Sequence, residues 1–531
     1  MACAVFADKQ GSARPLKVVI LAGQSNMQQP AGWNTLKGLA DTPETKSLYD
    51  KLVDDNGRVR TFKDVRIAHQ ETTNHFPDGF AGQVLGDNGR GRYGPELGFG
   101  LTFHELVDEP VLIIKTAWGG KSLHTDFRPP TGKAWEPPKD HPDHPDNAPP
   151  ARKIPSSIEL PPDFQPPQGR GQHIQMMSGR PIGEISGVHP IYVMDISEKK
   201  KKIWGRIPFQ AGDLILGLNG EGLGEDPVQQ WRKTWFEDVR KGDWKLTVTY
   251  WRDGGIDTVE IDTSKQLADG RDGITAYRAE QKATEEKLLR EGGDYYRMMM
   301  QTIKDVLADP GKHHPAYDPD RGIELSGFVW FQGYNDKING GVYPNGRKPR
   351  GYERYSWLLA ELIRDVRKEL KAPDLPFVIG VFGQGGRLDH PDFFRDAMAA
   401  PAGYDEFRGT VAAVETAEFW DARIPEIQGK LDRVMRYEGD DPHHPYAKLQ
   451  AEIRAFKEKI GDPGERQGKA LNRFVREVHA GLLDIVRTPE ETAYLRDNVS
   501  NQGYHYYGSP KFFVRAGAAF ATALNELMKN R

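Results

Sequence analysis

The apolar run Val18-Val19-Ile20-Leu21-Ala22 stops at Gly23, and a serine, Ser25, follows two positions on. A short run rich in β-branched residues reads as a buried strand. A tight turn after it holds Ser25 at the carboxyl edge of a sheet, where open α/β sheets receive ligands. A serine in such a turn also serves as a helix cap. Its role therefore depends on whether the chain supplies a base, an oxyanion site and an acid. Three other places carry small or polar residues at predicted strand ends or helix starts: Gly119-Gly120, the segment Gln332 to Asp336, and His505 just before the last helix. Together they fit acyl transfer. Ser25 supplies an oxygen nucleophile, and His505 supplies a base whose unperturbed pKa lies near neutrality. Backbone N–H groups of Ser25 and Gly120 can donate to a developing oxyanion, with a side-chain amide from Gln332 or Asn335 completing the hole. Taken singly, His505 also reads as a surface or capping histidine and Gly119-Gly120 as a turn.

The elements that must position these residues follow an alternating order. Strands are predicted at 17–22, 64–68, 110–115, 325–331, 376–382 and 410–414. Helical patterns fall at 35–55, from Gly94-Pro95-Glu96 onward, and at 278–308, 351–370, 445–487 and 511–528. Strands apolar on both faces, separated by helices, indicate a parallel sheet covered by helices.

The chain has 531 residues, enough for two or three domains. Its 72 Lys and Arg nearly balance 76 Asp and Glu, which gives no reason to expect a nucleic-acid partner. The single cysteine, Cys3, excludes a disulfide framework and a cysteine-based metal site. No apolar run is long enough to span a membrane. Met1 to Asp8 is similar to the tail of a secretory signal without a basic start; it reads as a truncated signal peptide or a loose tail, and export to a periplasmic or extracellular space is the expectation.

Between the two α/β stretches the pattern changes. The run His141-Pro142-Asp143-His144-Pro145-Asp146 offers two histidines, but a proline-stiffened linker with solvated polar residues is the reading adopted, and no metal is expected. Lys199 to Lys202 reads as a solvated turn. Further on come a strand at 191–196, Gly212-Asp213, an apolar strand, Asn219-Gly220, a helix at 227–240, and a hairpin from Lys245-Leu246-Thr247-Val248 through Asp253-Gly254-Gly255. This order resembles a PDZ domain, which implies binding of an extended peptide tail at a sheet edge. The loop expected to take the peptide carboxylate, near Arg180-Pro181-Ile182-Gly183, departs from the usual alternation of glycine and apolar residues. A spacer or lid that binds nothing is the competing reading.

The set Gly23-Gln24-Ser25-Asn26-Met27, Gly94-Pro95-Glu96, Lys115-Thr116-Ala117-Trp118-Gly119-Gly120 and Trp330-Phe331-Gln332-Gly333 resembles the motifs of the SGNH-fold carbohydrate esterases, in the sialate O-acetylesterase and acetylxylan esterase branch. The resemblance covers roughly 17–125 and 290–530. It implies a flavodoxin-like three-layer α/β/α sandwich with a parallel sheet, and hydrolysis of O-acetyl esters on carbohydrate without a cofactor. It implies Ser25 as nucleophile and His505 as base, with Ser25, Gly120 and the Gln332–Asn335 segment forming the oxyanion hole. Two departures stand out. The family's acid three residues before the histidine is Gln502 here, and a glutamate often found after Gln-Gly is Tyr334. Gln502, Asp336 and Asp497 are the candidates for the third member. A neutral third member makes a competing reading concrete: a weak or inactive scaffold that binds carbohydrate or peptide. A lipase or thioesterase of the same fold is a third reading. The expected organisation is a leader or tail at 1–14, hydrolase parts at 15–130 and 275–531, a proline-rich linker at 131–169, and a β-rich PDZ-like insertion at 170–265.

Overall fold

The computed structural model describes residues 14–70, 83–86, 92–133, 135–142, 144–147, 150–168, 171–174, 176–196, 209–240, 242–264, 273–439, 441–461 and 468–530. The expectations for the leader with Cys3, and for Lys199 to Lys202, fall outside these residues. The chain divides into two compact units. The first joins the chain up to Lys121 with Arg297–Gly333 and Val366–Arg531; the second joins Ser122–Tyr296 with Tyr334–Asp365.

The first unit is built on a seven-stranded sheet. Its strands are β1 (Leu16–Gly23), β2 (Phe62–Gln70), β3 (Gln83–Leu85), β4 (Val111–Ala117), β5 (Ile323–Phe331), β6 (Phe377–Val381) and β7 (Val411–Glu415). Their order across the sheet is β7-β6-β5-β1-β4-β2-β3, parallel except for β3, which runs antiparallel to β2. β1 and β4 are buried along their whole length, as strands apolar on both faces must be. The order departs from the flavodoxin arrangement, because β4 lies between β1 and β2. The functional property of an open α/β sheet is kept. The chain first builds to one side of β1 and then, at β5, to the other, so a crevice opens at the carboxyl ends of β4, β1 and β5. In register, Gly23 stands beside both Ala117 and Phe331.

Two helices of this unit cross closely. Helix α1 (Glu96–Val107) carries Gly98 and the closing helix α2 (Pro510–Lys529) carries Gly517. A Cβ on Gly98 would overlap the Val514 carbonyl, and one on Gly517 would overlap the Pro95 carbonyl. Glycine at both positions allows the two backbones to touch. Several predicted helices are shorter than expected. The 35–55 pattern forms a 3-10 turn at Trp33–Asp41 and a helix at Pro43–Leu52, since Pro43 disfavours helix at the residue before it. The 278–308 pattern divides at Gly292-Gly293, where Gly292 adopts φ +74°. The 445–487 pattern forms Pro445–Ile460 and Gly468–Val486, the first stopped by Gly461 at φ +70°.

Among the described residues the second unit contains a seven-stranded antiparallel sheet, ordered 255–262, 245–252, 214–218, 191–195, 177–181, 172–174, with the short strand 221–222 pairing on 214–218. The helix Pro227–Lys233 and the turn of π-helix after it bury Trp231 and Trp235 against that sheet, with Ile191, Val193, Ile215 and Val248. The proline-rich stretch is packed rather than solvated at His141, which is 1% exposed. Its Nε2 lies 2.9 Å from the Arg350 carbonyl, and Trp135 packs on Trp357 with ring centroids 5.5 Å apart. Proline stiffness lowers the entropic cost of holding this segment against a surface, so the same composition that suggests a spacer also suits a strap. Among the described residues no group of three or more His, Cys, Asp or Glu could hold a metal, and no helix is long and apolar enough to cross a membrane.

Candidate active site

At the end of β1 the chain turns through Gln24 into a single helical turn, Ser25–Gln28. Gly23 is required here by close approach, because a Cβ would run into the Phe331 carbonyl of β5. Gln24 is buried and acts as a tie bar. Its Oε1 accepts from Gln332 Nε2 at 3.3 Å and from the Gly333 N–H at 3.2 Å. Gln332, fully buried, also donates from Nε2 to the Lys121 carbonyl at 2.9 Å. Both N–H bonds of that amide are thus committed to tying together the turns after β1, β4 and β5. The Gly119 N–H donates to Gln28 Oε1 at 3.1 Å, and Gly120 follows in the left-handed region at φ +74°, exposed. Beneath this turn Lys115 and Glu96 form an ion pair at 2.7 Å, both nearly fully buried. Lys115 Nζ also donates to the Gln28 carbonyl, and Glu96 Oε1 accepts the Gly94 N–H at 2.8 Å. The Gly94-Pro95-Glu96 motif therefore braces the Ser25 turn from below.

His505 belongs to the same unit. It sits in a turn, Gly503–Gly508, in which Tyr506 and Tyr507 are both left-handed at φ +48° and +59°. That conformation is costly for residues with a Cβ, and such strain persists only where the surroundings over-determine it. The Tyr506 ring stacks on Phe512 at 3.5 Å, and its hydroxyl accepts the Gly383 N–H at 3.2 Å. The Tyr507 carbonyl accepts from the N–H groups of Ser500 and Asn501 at 2.8 and 2.9 Å. The turn is tied to the Ser25 turn by Asn26, whose Nδ2 donates to the Tyr504 carbonyl at 3.2 Å. The residue after Ser25 thus bonds the residue before His505.

The group behind the imidazole is one the sequence reading missed. His505 Nδ1 lies 3.1 Å from Asn501 Oδ1. The orientation of the Asn501 amide is fixed from both ends: Nδ2 donates to the Pro30 carbonyl at 2.9 Å, and Oδ1 accepts the Gln502 N–H at 2.9 Å. An acceptor facing Nδ1 requires Nδ1–H, which leaves Nε2 as the basic nitrogen. Gln502 contributes its backbone to this arrangement. Asp497 is engaged by Arg496 at 2.9 Å and Lys37 at 2.8 Å, and the hydrogen bond from Arg496 holds its carboxyl below the usual range. Asp336, in the second unit, is fully buried and accepts from the Leu123 N–H, the His124 N–H, His124 Nδ1 and Tyr343 Oη at 2.7 to 3.1 Å. Asn335 lies beside it on the short helix Tyr334–Lys337 of that unit. Asn501 left a faint sequence signal, an amide four residues before His505, one position outside the spacing that drew attention to Gln502.

Burial shifts the His505 pKa downward, and the nearby Arg92 guanidinium adds to the shift. Arg92 is itself held by the Gln29 carbonyl at 3.0 Å and the Ser500 carbonyl at 3.3 Å. Both effects favour the neutral imidazole, which is the state a general base needs.

Residues 279–437 match the family model described as carbohydrate esterase, sialic acid-specific acetylesterase. That segment holds Gln332 and Gly333 and lies between Ser25 and His505. Two solved structures align with the chain at low similarity. One is a protein from Arabidopsis thaliana, with 11% identity and a TM-score of 0.30, over 76% of this chain and 86% of that one. The other is a carbohydrate acetylesterase from Xanthomonas citri, with 10% identity and a TM-score of 0.28, over 76% of this chain and 50% of that one. No curated protein matches.

Proposed function

We propose that this protein is a serine-dependent carbohydrate O-acetylesterase. The observation that carries the reading is the fixed imidazole: His505 is oriented by Asn501 and tied through Asn26 to the turn that bears Ser25. In the proposed reaction Ser25 Oγ attacks the acetyl carbonyl while His505 Nε2 takes the hydroxyl proton. The N–H groups of Ser25 and Gly120 receive the oxyanion. Collapse breaks the bond to the sugar oxygen, which leaves with the proton from His505. Water then repeats the sequence on the acetyl-enzyme: its proton goes to His505, acetate leaves, and Ser25 Oγ is reprotonated. Asn501 takes the third position for which Gln502, Asp336 and Asp497 were candidates. It holds the tautomer by hydrogen bond, as the asparagine of a Cys-His-Asn triad does, without adding a charge. Gln332 is assigned to bracing rather than to the oxyanion. The match of residues 279–437 to the carbohydrate esterase family supports the acetylated-sugar substrate class.

The test is Ser25→Ala assayed for acetate release from an acetylated oligosaccharide. Loss of at least 1,000-fold, on the order that removing one triad member costs, is expected. Equal rates in the two proteins would remove Ser25 from the nucleophile role. A fluorophosphonate probe separates this reading from a non-catalytic binding scaffold, because covalent labelling at Ser25 requires an activated hydroxyl.

A further inference from the structure

The mechanism above makes no use of a cluster of charged and polar side chains at the base of the His505 turn. Lys511, the second residue of α2, is 6% exposed, and Asn498, the last residue of the helix Pro489–Asn498, is fully buried. Both donate to the same atom. Asp41 Oδ2 accepts from Asn498 Nδ2 at 2.8 Å and from Lys511 Nζ at 3.1 Å. Lys511 Nζ also donates to Tyr494 Oη at 2.8 Å, and that hydroxyl donates to Asp421 Oδ2 at 2.7 Å. Burial and the hydrogen bond to Asp421 both raise the Tyr494 pKa, so the hydroxyl keeps the proton it gives to Asp421.

The placement works against two ordinary preferences. A lysine is seldom buried unless paired, and a cation in the first turn of a helix is opposed by the helix dipole. What the arrangement achieves is seen along the chain. Asn498 stands three residues before Asn501, and Lys511 stands six residues after His505. A single carboxylate oxygen therefore joins the two stems of the loop that holds the imidazole and its partner. Fastening a loop at its base removes conformations that the open segment would sample. A second tie inside the loop repeats the closure: Ser500 Oγ donates to the Gly508 carbonyl at 3.1 Å and accepts the Gly32 N–H at 2.9 Å. Asp41 ends the 3-10 turn Trp33–Asp41, and Gly32 immediately precedes that turn. Both ties are thus anchored on the stretch of chain that continues from the Ser25 turn.

We propose that Asp41 is a positioning residue for the pair of His505 and Asn501: by bridging Asn498 and Lys511 it sets where the loop holds the imidazole. Asp41 acts through the loop and not on the reacting atoms. This rests on the esterase reading of the centre.

Asp41→Ala in the full chain tests the bridge while leaving each donor another acceptor. Asn498 Nδ2 keeps the Tyr494 carbonyl at 3.0 Å, and Lys511 Nζ keeps the Tyr494 hydroxyl. The Asp41 side chain is 34% exposed, so its removal leaves no sealed cavity. In acetate release from an acetylated oligosaccharide, Asp41→Ala is expected to lower kcat roughly 10- to 100-fold with KM nearly unchanged, the scale of a small misplacement of a catalytic group. Asp41→Asn returns an oxygen to the shared position and is expected to recover part of that rate. Lys430→Met serves as the comparison. It breaks the ion pair of Lys430 with Glu491, 2.8 Å long and made by the first turn of the helix that Asn498 ends, and is expected to leave kcat per folded molecule unchanged. An unchanged kcat in Asp41→Ala, no recovery in Asp41→Asn, or an equal loss in Lys430→Met would overturn the role. If wild-type protein releases no acetate, the esterase reading falls, and the positioning is judged separately by the imidazole nitrogen signals of His505 in histidine-labelled protein. Signals displaced in Asp41→Ala and returned in Asp41→Asn support it, and signals unmoved in Asp41→Ala overturn it.

Discussion

Asn501, which the sequence did not single out, faces Nδ1 of the proposed base. A neutral amide behind an imidazole fixes the tautomer and the ring angle but gives no charge to the imidazolium that forms in the transition state. Asn501→Ala is expected to lower kcat roughly 10- to 1,000-fold with little change in KM, because the loss falls on a transition-state interaction. Asn501→Asp should recover part of that rate, since an acceptor for Nδ1–H returns with a charge; a structural role alone would show no such recovery. The pH profile gives a second reading. Burial and Arg92 lower the folded-state pKa of His505, so the neutral base persists further into acid. The acid limb of kcat/KM is expected below the ordinary histidine value of about 6.5. Arg92→Met removes the repelling charge and should move that limb upward. A limb that stays in place in the variant would detach Arg92 from the base.

At the scale of elements, the site depends on how closely backbones approach. The turn after β1 touches β5 through Gly23, and α2 touches α1 through Gly98 and Gly517. α2 starts two residues after the turn that holds His505, so its seat on α1 sets where that turn lies. Gly517→Ala forces a methyl group into the Pro95 carbonyl. It is expected to lower stability by about 1–3 kcal/mol, read as a lower urea midpoint with unchanged slope, and to reduce activity with it. An unchanged midpoint would mean the two helices separate at no cost. The ion pair of Lys115 with Glu96 works the same way from below, since it is buried and bonded to the Ser25 turn through the Gln28 carbonyl.

At the scale of the molecule, the chain is interleaved: the second unit takes Tyr334–Asp365 as well as the long central segment. Within that segment the sheet of residues 172–262 has two apolar clusters that, among the described residues, are drawn from residues 154–261, one including Trp231 and Trp235 and the other Leu214 and Leu216. A self-contained core of that kind should fold alone. Residues 150–264 expressed separately are expected to unfold in one cooperative transition by tryptophan fluorescence, and a gradual change without a transition would show that the core needs the rest of the chain.

The sequence determined the parts whose cause is local. Runs such as Val18 to Ala22 and Val111 to Ile114 could only be strands buried on both faces, and β1, β4, β5, β6 and β7 lie where those patterns place them. The turn chemistry at Gly23, Gly119-Gly120 and Gln332-Gly333 was legible for the same reason. What only the tertiary structure decided depends on groups far apart in the chain. The position of β4 between β1 and β2 is a choice among crossovers that no local pattern records. The partner of His505 is another such case. Asn501 reaches Nδ1 because Tyr506 is held left-handed by Phe512 and Gly383, because the Tyr507 carbonyl ties down the Asn501 N–H, and because the Pro30 carbonyl, 471 residues away, takes the amide Nδ2 and turns its oxygen inward.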